Sequence, residues 1–128
     1  DQVETLLRPY ILLPGGGSVI LQETAALTAV DVNAASDRGS KLGVNLEAAA
    51  EIARQIRLRN IGGIIIIDFL KSKTGADKAA LEKALIHAFD SDPCTVQVHG
   101  LTALGLLEIT RARRTPPLRE RLEAIFDS

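Results

Sequence analysis

Two aspartates lie at the ends of apolar segments, where their carboxylates could bind a metal ion. Asp31 lies near the end of LTAVDVN, and Asp68 follows four consecutive isoleucines in GGIIIIDF. Carboxylate oxygens are ligands that Mg²⁺ and Mn²⁺ prefer, whereas zinc favours clustered His and Cys. Two protein carboxylates leave most of an octahedral shell to water and substrate phosphate. The pattern therefore indicates phosphoryl-transfer chemistry.

The segments around these acids predict a strand–helix–strand unit. LTAVDV is typical of a strand, and Ile64 to Ile67 of a central strand covered by helices on both faces. Between them we predict a helix over 46–58, with Asn45 as its cap and Glu47 complementing its dipole. The predicted apolar stripe of this helix is Leu46, Ala49, Ala50, Ala53 and Ile56.

A right-handed crossover makes the two strands parallel, so their carboxyl ends share one edge of the sheet. Ligands bind at this edge in open α/β sheets. We therefore expect Asp31 and Asp68 to converge there, with their repulsion relieved by a cation between them or by a proton on one of them. The alternative is that each aspartate only caps a turn.

The rest of the chain predicts a single α/β domain over 1–128. SVILQ and LTAVDV form an antiparallel hairpin, a second helix runs from about Ala76 to Phe89, and CTVQV is a short strand. GLLEITRAR is compatible with strand or helix, and TPPLRERLEAIF with a closing helix that Thr115 caps. The predicted fold is α/β, with a mixed, mainly parallel sheet, an N-terminal antiparallel hairpin and flanking helices.

Composition limits the class of protein. The net charge is −1, so a nucleic-acid partner needs a local basic patch. Cys94 is the only cysteine, which excludes an internal disulfide and a multi-cysteine zinc site and favours a cytoplasmic location. No stretch is long enough for a membrane span. Because methionine is absent even from the first position, we expect a piece of a longer protein or a processed product.

Three blocks resemble the catalytic core of the ribonuclease E/G family, specifically its deoxyribonuclease-I-like subdomain. They are DVN at 31–33, NLEAAAEIARQIRLRNIGGIIIIDF at 45–69 and GLLEITRAR at 105–113, in family order. The resemblance implies a Mg²⁺-dependent endoribonuclease that cuts single-stranded RNA during RNA processing, with Mn²⁺ as a possible substitute. It implies that Asp31 and Asp68 hold the metal, which activates a water for attack on the phosphodiester, and that Asn33 belongs to the same catalytic set.

Four basic residues are candidate contacts to RNA phosphates. Arg111 and Arg113 lie in the family block, and Arg38 and Lys41 lie in the loop between DVN and the predicted helix. Such contacts supply affinity without sequence choice. Basic side chains more often form only a solvated face, which is the alternative for each of them.

The sequence departs from the family in ways that keep a second function open. Family members carry an S1 RNA-binding module, a sensor of the RNA 5′ end and a zinc-linking cysteine pair, none of which occurs in these residues. Leu70 and Lys71 follow IDF, where the family usually has an acid. The chain is thus expected to work as a homo-oligomer or with an S1-type module, or to be a weak or inactive relative that binds RNA or protein. A small α/β phosphatase is disfavoured by the GLLEITRAR block.

Overall fold

The computed structural model describes residues 9–35 and 40–112. These residues form six strands and two helices. In chain order they are β1 (Tyr10–Leu12), β2 (Ser18–Glu23), β3 (Thr28–Asn33), α1 (Lys41–Arg59), β4 (Gly63–Asp68), α2 (Gly75–Ala88), β5 (Val96–Leu101) and β6 (Leu107–Arg111).

All six strands belong to one sheet, in the order β1-β2-β3-β4-β6-β5. Only the pairing of β3 with β4 is parallel among the described strands, and the other four pairings are antiparallel. The α/β class and the β2–β3 hairpin are confirmed, but the prediction of a mainly parallel sheet is wrong. After α2 the chain returns as a hairpin, β5–β6, which places β6 antiparallel to β4.

The predicted strand–helix–strand unit is present as β3–α1–β4, and its helix packs on one face of the sheet. Ile65 and Ile67 are completely buried in the core that also holds Leu81 and Leu85 of α2. Ile64, on the other face, is 48% exposed. The prediction that helices cover β4 on both faces is therefore wrong, because no described element packs over the face that we call the open face.

Helix α1 begins earlier than predicted. Ser40 is its cap, because the Ser40 hydroxyl accepts a hydrogen bond from the Gly43 amide at 3.1 Å. Asn60 ends the helix in the left-handed conformation, with φ of 51°. The prediction of Asn45 as cap is wrong, since Asn45 lies inside the helix and is fully buried.

The predicted apolar stripe of this helix is also wrong in part. Ala49, Ala53 and Ile56 are buried as expected, whereas Leu46 and Ala50 are exposed. Ala48 and Ile52 complete the buried face.

The second half of the chain follows the prediction closely. Thr74 caps α2 by accepting a hydrogen bond from the Asp77 amide at 3.0 Å, CTVQV leads into β5, and GLLEITRAR contains the strand β6. The predicted closing helix lies outside the described residues. Neither described helix is long and apolar enough to span a membrane.

Candidate metal centre and nucleic-acid interface

Asp31 and Asp68 lie side by side at the ends of β3 and β4. The parallel register pairs Asp31 with Asp68 directly, and it begins with Thr28 opposite Ile65. Neighbouring strands are about 4.8 Å apart, and side chains of paired residues point to the same face. Since Val30 and Val32 point into the core, both carboxylates stand on the open face.

The acid pair lines a shallow groove that solvent reaches. The groove has a volume of about 430 Å³ and an apolar floor. Asp31 is exposed, and the Asp68 side chain is 50% exposed. The remaining lining residues are Ile20, Gln22, Ala29, Val30, Ile66 and Leu106. A strand of nucleic acid can therefore approach both carboxylates.

Asn33 is the last residue of β3 and lies next to the acids. Its amide nitrogen is 3.5 Å from Asp31 Oδ2, a long hydrogen bond, and among the described residues no donor to its amide oxygen is found. Gly17 lies against the Asn33 backbone, where a Cβ atom would come within 2.9 Å of the Asn33 carbonyl oxygen. The glycine at this position thus allows the loop before β2 to reach the end of β3.

The donor set fits Mg²⁺ or Mn²⁺ better than zinc. Among the described residues, no group of three or more His, Cys, Asp or Glu side chains could hold a metal ion. The protein ligands available here are the oxygens of Asp31, Asp68 and Asn33. Hard oxygen donors with most positions open to water suit Mg²⁺, which rarely occupies a cage made only of protein atoms.

The loop after β4 is fixed by a residue of α1. The Asn45 side chain donates a hydrogen bond to the Leu70 carbonyl and accepts one from the Leu70 amide, both at 2.9 Å. This paired contact holds the backbone two residues beyond Asp68. Sequence reasoning missed the role, because Asn before an apolar stripe also matches a helix cap.

Lys71 is a further residue at the site. Its ammonium lies 3.9 Å from Asp68 Oδ1, and both side chains are at least half exposed. An exposed ion pair of this length contributes little to stability. Lys71 follows Asp68 by three residues, and this spacing could have indicated the ion pair. The sequence shows only that Leu70 and Lys71 occur where the family usually has an acid.

Arg111 does not lie at the candidate site. It is only 3% exposed, and its guanidinium is held by Asp92 and by the Ile61 carbonyl oxygen, the latter at 2.9 Å. In β6 it pairs with Gly63, at the start of β4, whereas Asp68 is at the end of β4. The expected phosphate contact is inconsistent with this buried position at the opposite edge.

The other basic candidates are placed differently. Lys41 is the exposed first residue of α1, at the end of the sheet where β3 terminates. Arg38 and Arg113 lie outside the described residues. Of the expected set, the structure therefore brings together Asp31, Asn33 and Asp68, and leaves Lys41 near the same edge.

The fold and the acid pair define an α/β protein with a candidate site for an oxygen-bound divalent cation. Residues 1–114 match the ribonuclease E/G family, and the chain belongs to this family.

Several curated relatives match nearly the whole chain. Ribonuclease E of Escherichia coli is 41% identical over 94% of this chain and 12% of its own length. Ribonuclease E of Synechocystis is 42% identical over 92% of this chain and 18% of its own length. A chloroplastic ribonuclease E/G-like protein of Arabidopsis thaliana is 38% identical over 91% of this chain and 12% of its own. The chain thus spans less than a fifth of each of these three relatives.

Proposed function

We propose that this chain is the nuclease core of a ribonuclease E/G-type endoribonuclease, equivalent to its deoxyribonuclease-I-like subdomain, and that it cuts single-stranded RNA. The observation that carries the proposal is the register of β3 and β4, which pairs Asp31 with Asp68 on the open face. Family membership supports the choice of RNA as substrate.

Asp31 and Asp68 would hold Mg²⁺, with Mn²⁺ as a substitute. When bound, the ion would supply charge stabilisation at the scissile phosphate and increase the acidity of an attacking water. Asn33 carries no titratable group, so its part is to orient Asp31 through the contact at 3.5 Å and to offer its amide to water or phosphate. The open face lets a single strand approach without any movement of the described helices.

The chain covers a small share of the length of its relatives, so segments outside it are expected to contribute to RNA affinity. Lys41 is the one described residue of the expected basic set that lies near the site. We therefore expect an S1-type RNA-binding module, a second copy of the chain, or both, to contribute affinity for RNA. The cytoplasm, where this RNA processing would take place, is the corresponding location.

Cleavage of a single-stranded RNA with a 5′-monophosphate tests the proposal. With Mg²⁺, the chain is expected to cut this RNA, and Asp31→Asn and Asp68→Asn should each reduce the rate by more than the roughly 10–100-fold that loss of a residue supporting a metal ligand costs. Asp90→Asn is the matched control, because Asp90 is an exposed acid after α2, outside the groove of the acid pair, whose carboxylate lies 3.3 Å from His87. Equal rates for all three variants would exclude the acid pair from catalysis.

A second function is favoured by one contact. The Lys71 ammonium near Asp68 partly neutralises the acid pair, as expected of a relative that binds RNA or protein without cutting it. Binding of the same RNA without cleavage at any enzyme concentration, in Mg²⁺ or Mn²⁺, would support this alternative.

A further inference from the structure

A second groove lies beside the acid pair and is not used by the proposed chemistry. It runs between the loop after β4, which contains Phe69 and Lys71, and the turn from Thr102 to Gly105 that joins β5 to β6. Its volume is about 430 Å³, and Lys78 in the first turn of α2 closes one side. The groove is thus large enough for one nucleotide.

Lys71 forms the boundary between this groove and the acid pair. Its ammonium is 3.9 Å from Asp68 Oδ1 and 3.4 Å from the Leu104 carbonyl oxygen. Gly105 lies directly beneath, with φ of 84°, and a Cβ atom there would come within 3.0 Å of the ammonium. The turn is therefore shaped so that a positive charge can lie next to Asp68.

The groove combines apolar and cationic surfaces. Phe69 and Leu81 form a buried base, Leu101 is half-buried above them, and Leu104 is 80% exposed at the tip of the turn. In the described part of the chain, no ion pair or hydrogen bond of the Lys78 ammonium is found. Proteins that bind single strands use such a combination, because bases pack on flat hydrophobic surfaces while phosphates follow cationic groups.

Nearby acids do not cancel this cationic edge. The Glu82 carboxylate accepts a hydrogen bond from the Leu101 amide at 3.3 Å, which turns it toward the β5 backbone. Asp77 lies in the first turn of α2, where its charge is favourable to the helix dipole. Asp68 is not among the lining residues but lies 3.9 Å from Lys71, so a phosphate in the groove would share Lys71 with Asp68 and would meet Lys78 as the second cation.

We propose that this groove is a subsite for one nucleotide of a single-stranded RNA, next to the phosphate that the acid pair faces. The base packs between Leu101 and Leu104, and its phosphate lies between Lys71 and Lys78. This inference rests on the proposed RNA substrate and adds where the strand runs, namely from the open face over the β5–β6 turn toward α2.

RNA binding without metal tests the subsite separately from catalysis. Fluorescence anisotropy with a labelled single-stranded RNA of about ten nucleotides, in EDTA, gives the dissociation constant at several salt concentrations. Lys78→Gln should weaken binding about three- to tenfold and reduce the slope of log affinity against log salt by about 0.7, the value for one lost phosphate contact on a single strand. Lys83→Gln is the matched control, since Lys83 is an exposed lysine farther along α2, outside the groove.

Removing one base at a time from the RNA tests the packing surface. With the unaltered chain, at least one abasic position should weaken binding about two- to fivefold, because the apolar surface of Leu101 and Leu104 is then no longer covered by a base. The same abasic position should have a much smaller effect with Leu104→Ser, a substitution at an exposed site whose folding is checked by thermal unfolding.

Three results would overturn the subsite: equal affinities for Lys78→Gln and Lys83→Gln, an abasic effect that Leu104→Ser leaves unchanged, or no RNA binding by the unaltered chain. Failure of the proposed catalysis gives a different result. In that case the anisotropy differences remain, but Mg²⁺ produces no cleavage that depends on Asp31 and Asp68.

Discussion

Arg111 and Asp92 form a paired contact inside the fold. Arg111 Nε donates a hydrogen bond to Asp92 Oδ2 and Nη2 donates one to Oδ1, each at 3.0 Å, and both side chains are almost completely buried. The contact ties the end of β6 to the segment after α2, at the edge of the sheet opposite Asp68. The protein therefore separates a charged pair that stabilises the fold from the charged pair at the candidate site.

Removing the arginine should destabilise the protein strongly. Arg111→Ala leaves the Asp92 carboxylate buried without its partner, and loss of one member of a buried pair costs about 3–5 kcal/mol. Urea unfolding measures the change in the free energy of unfolding. Arg54→Ala is the control, because Arg54 makes an exposed pair with Glu51 at 2.9 Å and should change this free energy by less than about 1 kcal/mol. Similar losses for both variants would contradict the structural role of Arg111.

The same pair predicts how stability depends on pH. Burial raises the pKa of Asp92, but hydrogen bonds from Arg111 and from the Cys94 amide outweigh burial and bring the pKa below its ordinary value. Stabilisation by Asp92 is therefore complete above the unfolded pKa of about 3.9 and is lost as pH falls through the lower folded pKa.

Urea unfolding between pH 2 and pH 7 measures this dependence. Asp92→Asn should have a smaller loss of stability below about pH 4 than the unaltered chain, because the substituted side chain takes up no proton. Identical acid profiles for the two proteins would show that Asp92 is not the group responsible.

Without metal, the acid pair should have little net effect on the stability of the fold. Asp68→Asn removes the repulsion from Asp31 and also the attraction to Lys71 at 3.9 Å, and these terms are of similar size at about 1 kcal/mol each in water, so the variant should be about as stable as the unaltered chain in EDTA. With Mn²⁺ the unaltered chain should become the more stable protein, since a ligand at ten times its dissociation constant adds about 1.4 kcal/mol only where it binds. Thermal unfolding with and without Mn²⁺ measures both effects, and equal stabilisation of the two proteins by Mn²⁺ would count against a shared ion.

Lys71 should weaken cation binding at the same carboxylate. Its ammonium lies 3.9 Å from Asp68 Oδ1 and would repel a divalent ion at this carboxylate by roughly 1–2 kcal/mol at the dielectric constant of water, which salt screens further. Lys71→Gln is therefore expected to tighten Mn²⁺ binding two- to fivefold, as measured by isothermal titration calorimetry. Lys73→Gln, at an exposed position nearby, is the control and should have a smaller effect.

Asn45 should matter for the loop that follows Asp68. Asn45→Ala leaves the Leu70 amide and carbonyl without their side-chain partner, at about 1–3 kcal/mol for each buried group that stays unpaired. Hydrogen exchange should show faster exchange of the Leu70 amide, and the proposed RNA cleavage should become slower because Asp68 is less well positioned. An unchanged exchange rate at Leu70 would mean that the loop has another support.

Local patterns predicted much of the fold near the site. The four isoleucines before Asp68, the helical period before them and the hairpin of β2 and β3 each follow from side-chain spacing within a few residues. The helix between β3 and β4 returns the chain to the end of the sheet where β3 began, so the two strands are parallel. This is why the neighbouring positions of Asp31 and Asp68 were predictable.

Long-range choices were less predictable. The side of β4 on which β6 pairs depends on packing between segments that no local pattern relates, so the antiparallel half of the sheet was missed. An arginine in a family block is a reasonable candidate for a phosphate contact. The sequence does not show that Arg111 pairs with Asp92 inside the fold, where it is buried. Ser40 and Asn45 both satisfy the rules for a helix cap, and the choice depends on Leu70, which approaches Asn45 only in the folded chain.

The parallel pairing of β3 with β4 has a consequence for synthesis of the protein. Hairpins such as β2–β3 need only a short turn, whereas β3 and β4 can pair only after the segment that forms α1 has been made between them. A chain emerging from the ribosome therefore has no adjacent acid pair until β4 has left the exit tunnel and joined β3. Divalent-cation binding should accordingly appear late in folding.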